Sequence, residues 1–277
     1  MEAKTHTKQN SVHVLTESAI MIALSTVLSI LKIAEMPYGG SVTVASALPI
    51  AIIAYRYGLK TGLFAGTVHA ALQLVLGLSA LSYATNWQSA VAIIALDYIL
   101  AFMFIGVAGI FRKPIKNQAA ALTAGVLLYS VIRYIFHVIA GATVWAGISV
   151  PTAAALAYSF IYNATYMIPE TIVLAVATLY VGSVIDFRFA SPRRIARGKA
   201  KGTSAWMPQA AALAVCAAII FNVAEIFEKL QDAETGEFTL ATISDVNWLA
   251  VVIVSALALV LAAVLLILHK SIKTMKE

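Results

Sequence analysis

Cysteine and charge are what this sequence most lacks. Cys216 is the single cysteine among 277 residues, which excludes an intrachain disulfide and a thiolate metal cluster. It falls inside a late apolar stretch and reads as a packing residue. Charged residues make up 12% of the chain, about half of the ~25% usual in soluble domains. No stretch alternates apolar and polar residues as barrel strands do, which argues against a β-barrel. Some chemistries are missing too. There is no HExxH or paired-histidine spacing, no serine elbow and no Walker loop. The sequence therefore carries no metal or cofactor signature, no catalytic nucleophile and no ATPase of its own, and it reads as a non-enzyme.

What is present is apolar surface: 61% hydrophobic residues and a mean hydropathy of +0.89. One aqueous globule cannot hide that much, so the expected solvent is lipid. The apolar stretches approach the ~20 residues needed to cross a bilayer, and backbone groups in lipid must be satisfied internally, so helices are expected. Eight spans are predicted, at Val14–Ile33, Val42–Tyr55, Leu59–Leu78, Trp87–Phe111, Ala119–Gly147, Pro151–Ile185, Met207–Phe227 and Val246–His269. The second is short for a crossing and the sixth is long. Lys4 and Lys8 before the first run have the outline of a cleavable leader, but no small-residue cleavage site follows, and the run is kept as a span. The expected class is an all-α integral membrane protein. Residues 1–187 form a six-helix membrane domain that holds nearly all polar groups within spans. Residues 188–206, including SPRRIARGKAKGTSA, form a basic cytoplasmic linker, and residues 207–277 a two-helix appendage rich in Ala, Val and Leu. No internal repeat is visible, so inverted-repeat transporter architecture has no support.

The loops orient the chain. Lys4 and Lys8, Arg56 and Lys60, and Arg112, Lys113 and Lys116 fall on one side. With them go Arg188, Arg193, Arg194, Arg197, Lys199 and Lys201, and the tail residues Lys270, Lys273 and Lys276. The intervening loops are nearly free of Lys and Arg, and the one after span seven is acidic, with Glu228, Asp232, Glu234, Glu237 and Asp245. This alternation places both termini in the cytoplasm. It also accounts for the net charge of +6 as a topology signal and a contact for anionic lipid, not for nucleic acid.

Ionisable groups inside spans are functional hypotheses by default. They are Asp97 in span four, Arg133 and His137 in span five, and Glu170 in span six, accompanied by Asn163. Counting rise per residue puts Asp97, Arg133, His137, Tyr158 and Asn163 at similar heights, from the midplane outward, on three helices. They suggest one pocket open to the outside. Arg133, His137, Gly141 and Trp145 recur every four residues and share a helix face. Gly141 leaves a gap where a flat ring could approach, and Trp145 offers a π-face to an aromatic or cationic ligand. The plainer readings are a structural Asp97–Arg133 ion pair, a merely packed His137, and Trp87, Tyr83 and Trp145 as interfacial belt residues. Glu170, following Pro169, reads as deeper and mostly structural.

At span five the chain resembles a known family. RYIFHVIAGATVWAG followed by AYSFIYNATY is similar to the thiamin-specific substrate-binding subunits (S-components) of energy-coupling factor (ECF) transporters, the ThiT family. TESAIMIAL, YRYGLKTGLFAG and LDYILAFMFIGVAGIFRK extend the likeness over roughly residues 12–185. The resemblance implies a six-helix bundle in a prokaryotic plasma membrane, with both termini cytoplasmic. It implies capture of thiamin or a close pyrimidine relative from outside, for ATP-driven uptake with a transmembrane coupling protein and ATPase subunits. By position, Asp97 is the carboxylate that reads the aminopyrimidine, with Tyr98 beside it. Arg133 holds the family's basic position, His137 and Gly141 fall on the binding face, Trp145 stacks on the ligand, and Tyr158 and Asn163 supply contacts from span six. Ala19 and Ala23 resemble the AxxxA patch that docks on the coupling protein. The chain departs from the family at Asp97, where Glu is usual, at Gly40 for a loop aromatic, and at His69 for a Trp. The last two helices have no counterpart there. A rival reading is a stand-alone proton- or ion-coupled carrier of a small organic cation, with Asp97, His137 and Glu170 relaying charge; a membrane enzyme has less support still.

Overall fold

The structure, a computed structural model, describes residues 11–36, 40–84, 86–145, 153–195, 206–230 and 242–274. The leader-like segment with Lys4 and Lys8, the basic residues Arg197, Lys199 and Lys201, the acidic Asp232, Glu234 and Glu237, and Lys276 lie outside them. Among the described residues, seven helices are long and apolar enough to cross a membrane. They are α1 (Ser11–Ile30), α3 (Leu59–Leu76), α4 (Trp87–Arg112), α5 (Gln118–Ala140), α6 (Ala153–Val184), α7 (Met207–Leu230) and α8 (Trp248–Thr274). The chain is a multi-pass, all-helical membrane protein.

The predicted second span differs from the rest. It opens as a strand, β2 (Ser41–Thr43), paired antiparallel with β1 (Lys32–Glu35), and continues as the ten-residue α2 (Leu48–Tyr57). At 1.5 Å per residue α2 is about 15 Å long, half a bilayer core. Its residues from Leu48 to Arg56 are all buried. It meets protein on every side, which is why its sequence is apolar all round.

Around α2 lies the larger core, with Ile50, Ile53, Ile105, Leu122, Val126 and Tyr129 at its centre. Between helices in lipid there is little hydrophobic drive, so close contact through small residues does the joining. A β-carbon on Gly106 of α4 would lie 2.3 Å from the Leu63 backbone nitrogen and 2.5 Å from the Gly62 carbonyl carbon. No side chain fits there, and the backbones of α3 and α4 touch.

Arg56, counted in the sequence as a loop charge, is buried. Its guanidinium donates to the carbonyls of Phe187 (2.8 Å), Phe189 (3.1 Å) and Ala190 (2.9 Å), and pairs with Glu17 of α1 at 2.6 Å. It ties the exit of α6 to α1 and α2. Beside it Arg188 bonds Asp186 at 2.8 and 2.6 Å and holds that carboxyl below the ordinary carboxylate range. Beyond this point α7 packs Ile219, Val223 and Leu230 against Tyr162, Tyr166, Met167 and Val173 of α6 and against Met36 and Val42 of the hairpin. The last helix, α8, packs on α7 through Ala262 and Leu265 against Ala211, and leaves most of its surface to the membrane.

Candidate functional site

A cavity of about 760 Å³ opens among α1, the β-hairpin, the end of α3 with the 3-10 turn Leu78–Tyr83, and α4, α5 and α6. Asp97, Tyr98, Arg133, His137, Gly141, Tyr158 and Asn163 all line it. The three helices expected from sequence do meet there, and the N-terminal elements complete the wall. The side chain of Trp145 falls outside the described part of the structure.

Two stretches of π-helix carry the pocket. Ile93–Leu100 of α4 holds Asp97 and Tyr98, and Gly141–Trp145 continues α5. Such wide turns recur at functional sites because the extra residue redirects side chains. Tyr98 spends its hydroxyl on the Gly77 carbonyl at 2.8 Å, which fixes the end of α3.

The ionisable groups form one chain. Arg133 Nη1 donates to Glu170 Oε2 at 2.9 Å, and Arg133 Nε donates to His137 Nε2 at 3.1 Å. A nitrogen that accepts carries no hydrogen, so the hydrogen of His137 sits on Nδ1, which donates to Asp97 Oδ1 at 2.8 Å. Thr43 donates to the other Glu170 oxygen at 3.0 Å. The direct Asp97–Arg133 pair considered from sequence is therefore replaced by two separate pairings, because Glu170 reaches the guanidinium first. Two carboxylates, Glu170 on Arg133 and Asp97 on His137, share the pocket with one guanidinium, and Lys32 at the rim is held by Glu35 at 2.5 Å. One negative charge in the pocket is left without a counter-ion among the described residues, and Asp97 Oδ2 has no partner among them.

Asn163 is committed to joining helices. Its amide donates to Ser159 O at 2.8 Å and His137 O at 3.3 Å, and its carbonyl accepts from Tyr166 at 2.6 Å. The space over Gly141, expected to admit a ring, is filled from α6: a β-carbon there would lie 2.2 Å from Ser159 Oγ. Gly141 serves the α5–α6 approach. Aromatic surface comes instead from Tyr158, Tyr162 and Tyr166, one turn apart on α6. The first two rings are parallel at 6.2 Å, and the next pair is edge-on at 5.8 Å. Gly40 abuts the Tyr166 ring, so an aromatic missing from the loop is opposed by one on the helix. His69 is fully buried behind the wall, 3.3 Å from Thr26 Oγ1 and edge-on to Phe102. It does not line the cavity.

The sequence reading missed Thr43, Ser46, Gln73, Tyr162 and Tyr166, and set Glu170 aside as deeper and mostly structural; all six line the cavity. A signal for span six existed. Ser159, Asn163, Tyr166 and Glu170 are spaced by four, three and four, which is one stripe of an α-helix.

These features define a class: a polytopic helical membrane protein with a buried, net-anionic, tyrosine-lined recognition pocket. The sequence profile of the thiamine transporter protein family (Thia_YuaJ) matches residues 15–186, and the chain belongs to that family. It is 34% identical over 173 residues to the thiamine transporter ThiT of Bacillus subtilis (strain 168), covering 58% of this chain and 86% of the relative. Against the thiamine transporter ThiT of Lacticaseibacillus paracasei the figures are 27% over 166 residues, 54% and 77%. A solved structure of ThiT from Listeria monocytogenes aligns with a TM-score of 0.49 and 24% identity over 61% of this chain and 92% of that one. The family match ends at Asp186, so α7 and α8 lie beyond it.

Proposed function

We propose that this protein captures thiamin, or a close pyrimidine relative, from outside the cell as the substrate-binding subunit of an ECF-type importer. Thiamin pairs an amine-bearing pyrimidine with a cationic thiazolium. The observation that carries the reading is the uncompensated negative charge of Asp97, a cavity-lining residue that engages His137 through Oδ1 alone among the described residues. In this reading Asp97 accepts a hydrogen bond from the pyrimidine amine. The tyrosine ladder and Trp145 take the flat rings, and Tyr98, His137, Gly141 and Asn163 set the shape around them. Both termini lie in the cytoplasm, and the pocket faces outward.

Energy comes from partners in this scheme. The chain has no phosphate-binding loop, so ATPase subunits and a transmembrane coupling protein are required. Ala19 and Ala23 are exposed on α1, on the flank of the buried stripe Ser18, Ile22, Ser25 and Ser29. α7 packs on α6 and the hairpin, which leaves that small-residue face open for docking. The rival proton-coupled carrier needs a proton to pass from Asp97 and His137 to Glu170, and Arg133 stands between them. An arginine does not give up its proton, which disfavours that relay.

Equilibrium binding of thiamin to the purified full chain, followed by tryptophan fluorescence or calorimetry, tests the assignment. Submicromolar binding is expected, and Asp97→Asn should weaken it by about thirtyfold or more through loss of one buried charge contact. No binding at submicromolar concentration, or an unaffected Asp97→Asn variant, would overturn the ligand or the residue's role respectively. Uptake by vesicles holding this protein alone, driven by a proton gradient without ATP, would favour the rival.

A further inference from the structure

The side chain of Glu170 is absorbed by no ligand contact proposed above, yet both of its oxygens are engaged. It is 5% exposed and holds a strand residue, Thr43, on one oxygen and a helix residue, Arg133, on the other, at 3.0 and 2.9 Å. Arg133, itself 8% exposed and lying over the Phe102 ring at 4.9 Å, then directs its Nε hydrogen at His137 Nε2. Hydrogen bonds thus leave Arg133 in two directions, toward Glu170 and, through the His137 ring, toward Asp97.

Asp97 and Glu170 are the only acidic side chains lining the cavity among the described residues. If Glu170 were uncharged, the guanidinium would have one carboxylate left to pair with, and a buried cation is drawn strongly to its remaining counter-ion. Moving to Asp97, Arg133 would occupy the oxygen a ligand amine needs. It would also release His137 Nε2 and with it the tautomer. We propose that Glu170 is a positioning residue. It holds Arg133 off Asp97, fixes His137 as the Nδ1–H tautomer and keeps the pocket net-anionic, so that the site selects a cation. Thr43 on its second oxygen makes the first outer hairpin part of the same device. The selectivity half of this proposal rests on the thiamin reading; the tautomer half does not.

The test uses the purified full chain and two ligands, thiamin and an isostere whose thiazolium is replaced by an uncharged ring. Wild type should prefer the cation. Glu170→Gln should weaken both ligands, because Arg133 then takes the Asp97 oxygen that their shared pyrimidine amine needs. It should weaken thiamin by about tenfold more than the neutral isostere, because the pocket has also lost its net negative charge. Glu170→Asp should restore much of the difference. Imidazole nitrogen-15 resonances of His137, assigned by comparison with His137→Gln, should report hydrogen on Nδ1 in wild type and a changed pattern in Glu170→Gln. Equal loss for both ligands, or a His137 pattern that ignores Glu170→Gln, would overturn the proposal and leave Glu170 a packing ion pair. Should Glu170→Gln not fold, the wild-type resonances decide: hydrogen on Nε2 refutes the chain. Should wild type bind neither ligand, the thiamin reading falls and the resonances still judge the positioning role.

Discussion

The six-helix body and the C-terminal pair live in the same lipid but are held by different means. Every fully buried polar side chain described, from Ser18 to Asp186, belongs to the body. The pair α7 and α8 is joined by small and aliphatic residues, and Asn222 of α7 donates to Ser255 of α8 at 2.7 Å. Helices in a membrane associate adequately by packing alone. The cost of burying Arg133 and Glu170 in the body is therefore not a requirement of helix association, and buried charge of this kind is a functional hypothesis by default.

That contrast can be broken or sharpened by substitution. The largest effect is expected from Arg133→Met, which strands Glu170 as a buried carboxylate without its cation and should cost about 3–5 kcal/mol of stability. Thermal unfolding in detergent reads it, and an unchanged melting temperature would mean the buried charges carry no more weight than the pair's aliphatics. Gly106→Val probes the body's other means of cohesion. A side chain forced against the Leu63 backbone should destabilise by about 1–3 kcal/mol, as overpacking does, in the same melting experiment. The smallest change belongs to the appendage: Asn222→Ala should cost about 0.6 kcal/mol, the average for such bonds in membranes, and leave ligand affinity untouched. A large loss of binding on that substitution would make the pair part of the recognition machinery.

How much of this was legible beforehand follows the same division. The apolar spans were readable because lipid imposes length and composition, and α4, α5 and α6 brought Asp97, Arg133, His137, Tyr158 and Asn163 to one cavity as depth counting suggested. Depth counting failed at Glu170. α6 runs 32 residues without a break at Pro169, about 48 Å at 1.5 Å per residue against a ~30 Å core, so residues counted from its N-terminal end do not map onto depth. The half-length α2 could not be foreseen as a protein-enclosed helix, because an apolar run looks alike whether lipid or protein covers it. Gly141 showed the same blindness across helices: a missing β-carbon marks a vacancy in one chain segment, and only the partner, here Ser159, says who fills it. The tautomer of His137 depends on Arg133 and Glu170 together, and no local pattern encodes a third residue's choice.

The π-helical stretch Ile93–Leu100 has a consequence for insertions and deletions. It holds Asp97, which must face His137, and further along helix four the 3-10 stretch Phe104–Arg112 holds Gly106, which must face Leu63. An uninterrupted α-helix advances about 100° per residue and is locked to one phase throughout. Here the wide turns, together with the tighter 3-10 turns of Phe104–Arg112, set the angle between those two faces. Deleting a single residue there would force the helix to keep one appointment and miss the other, so this segment is where the length of helix four is least free to drift.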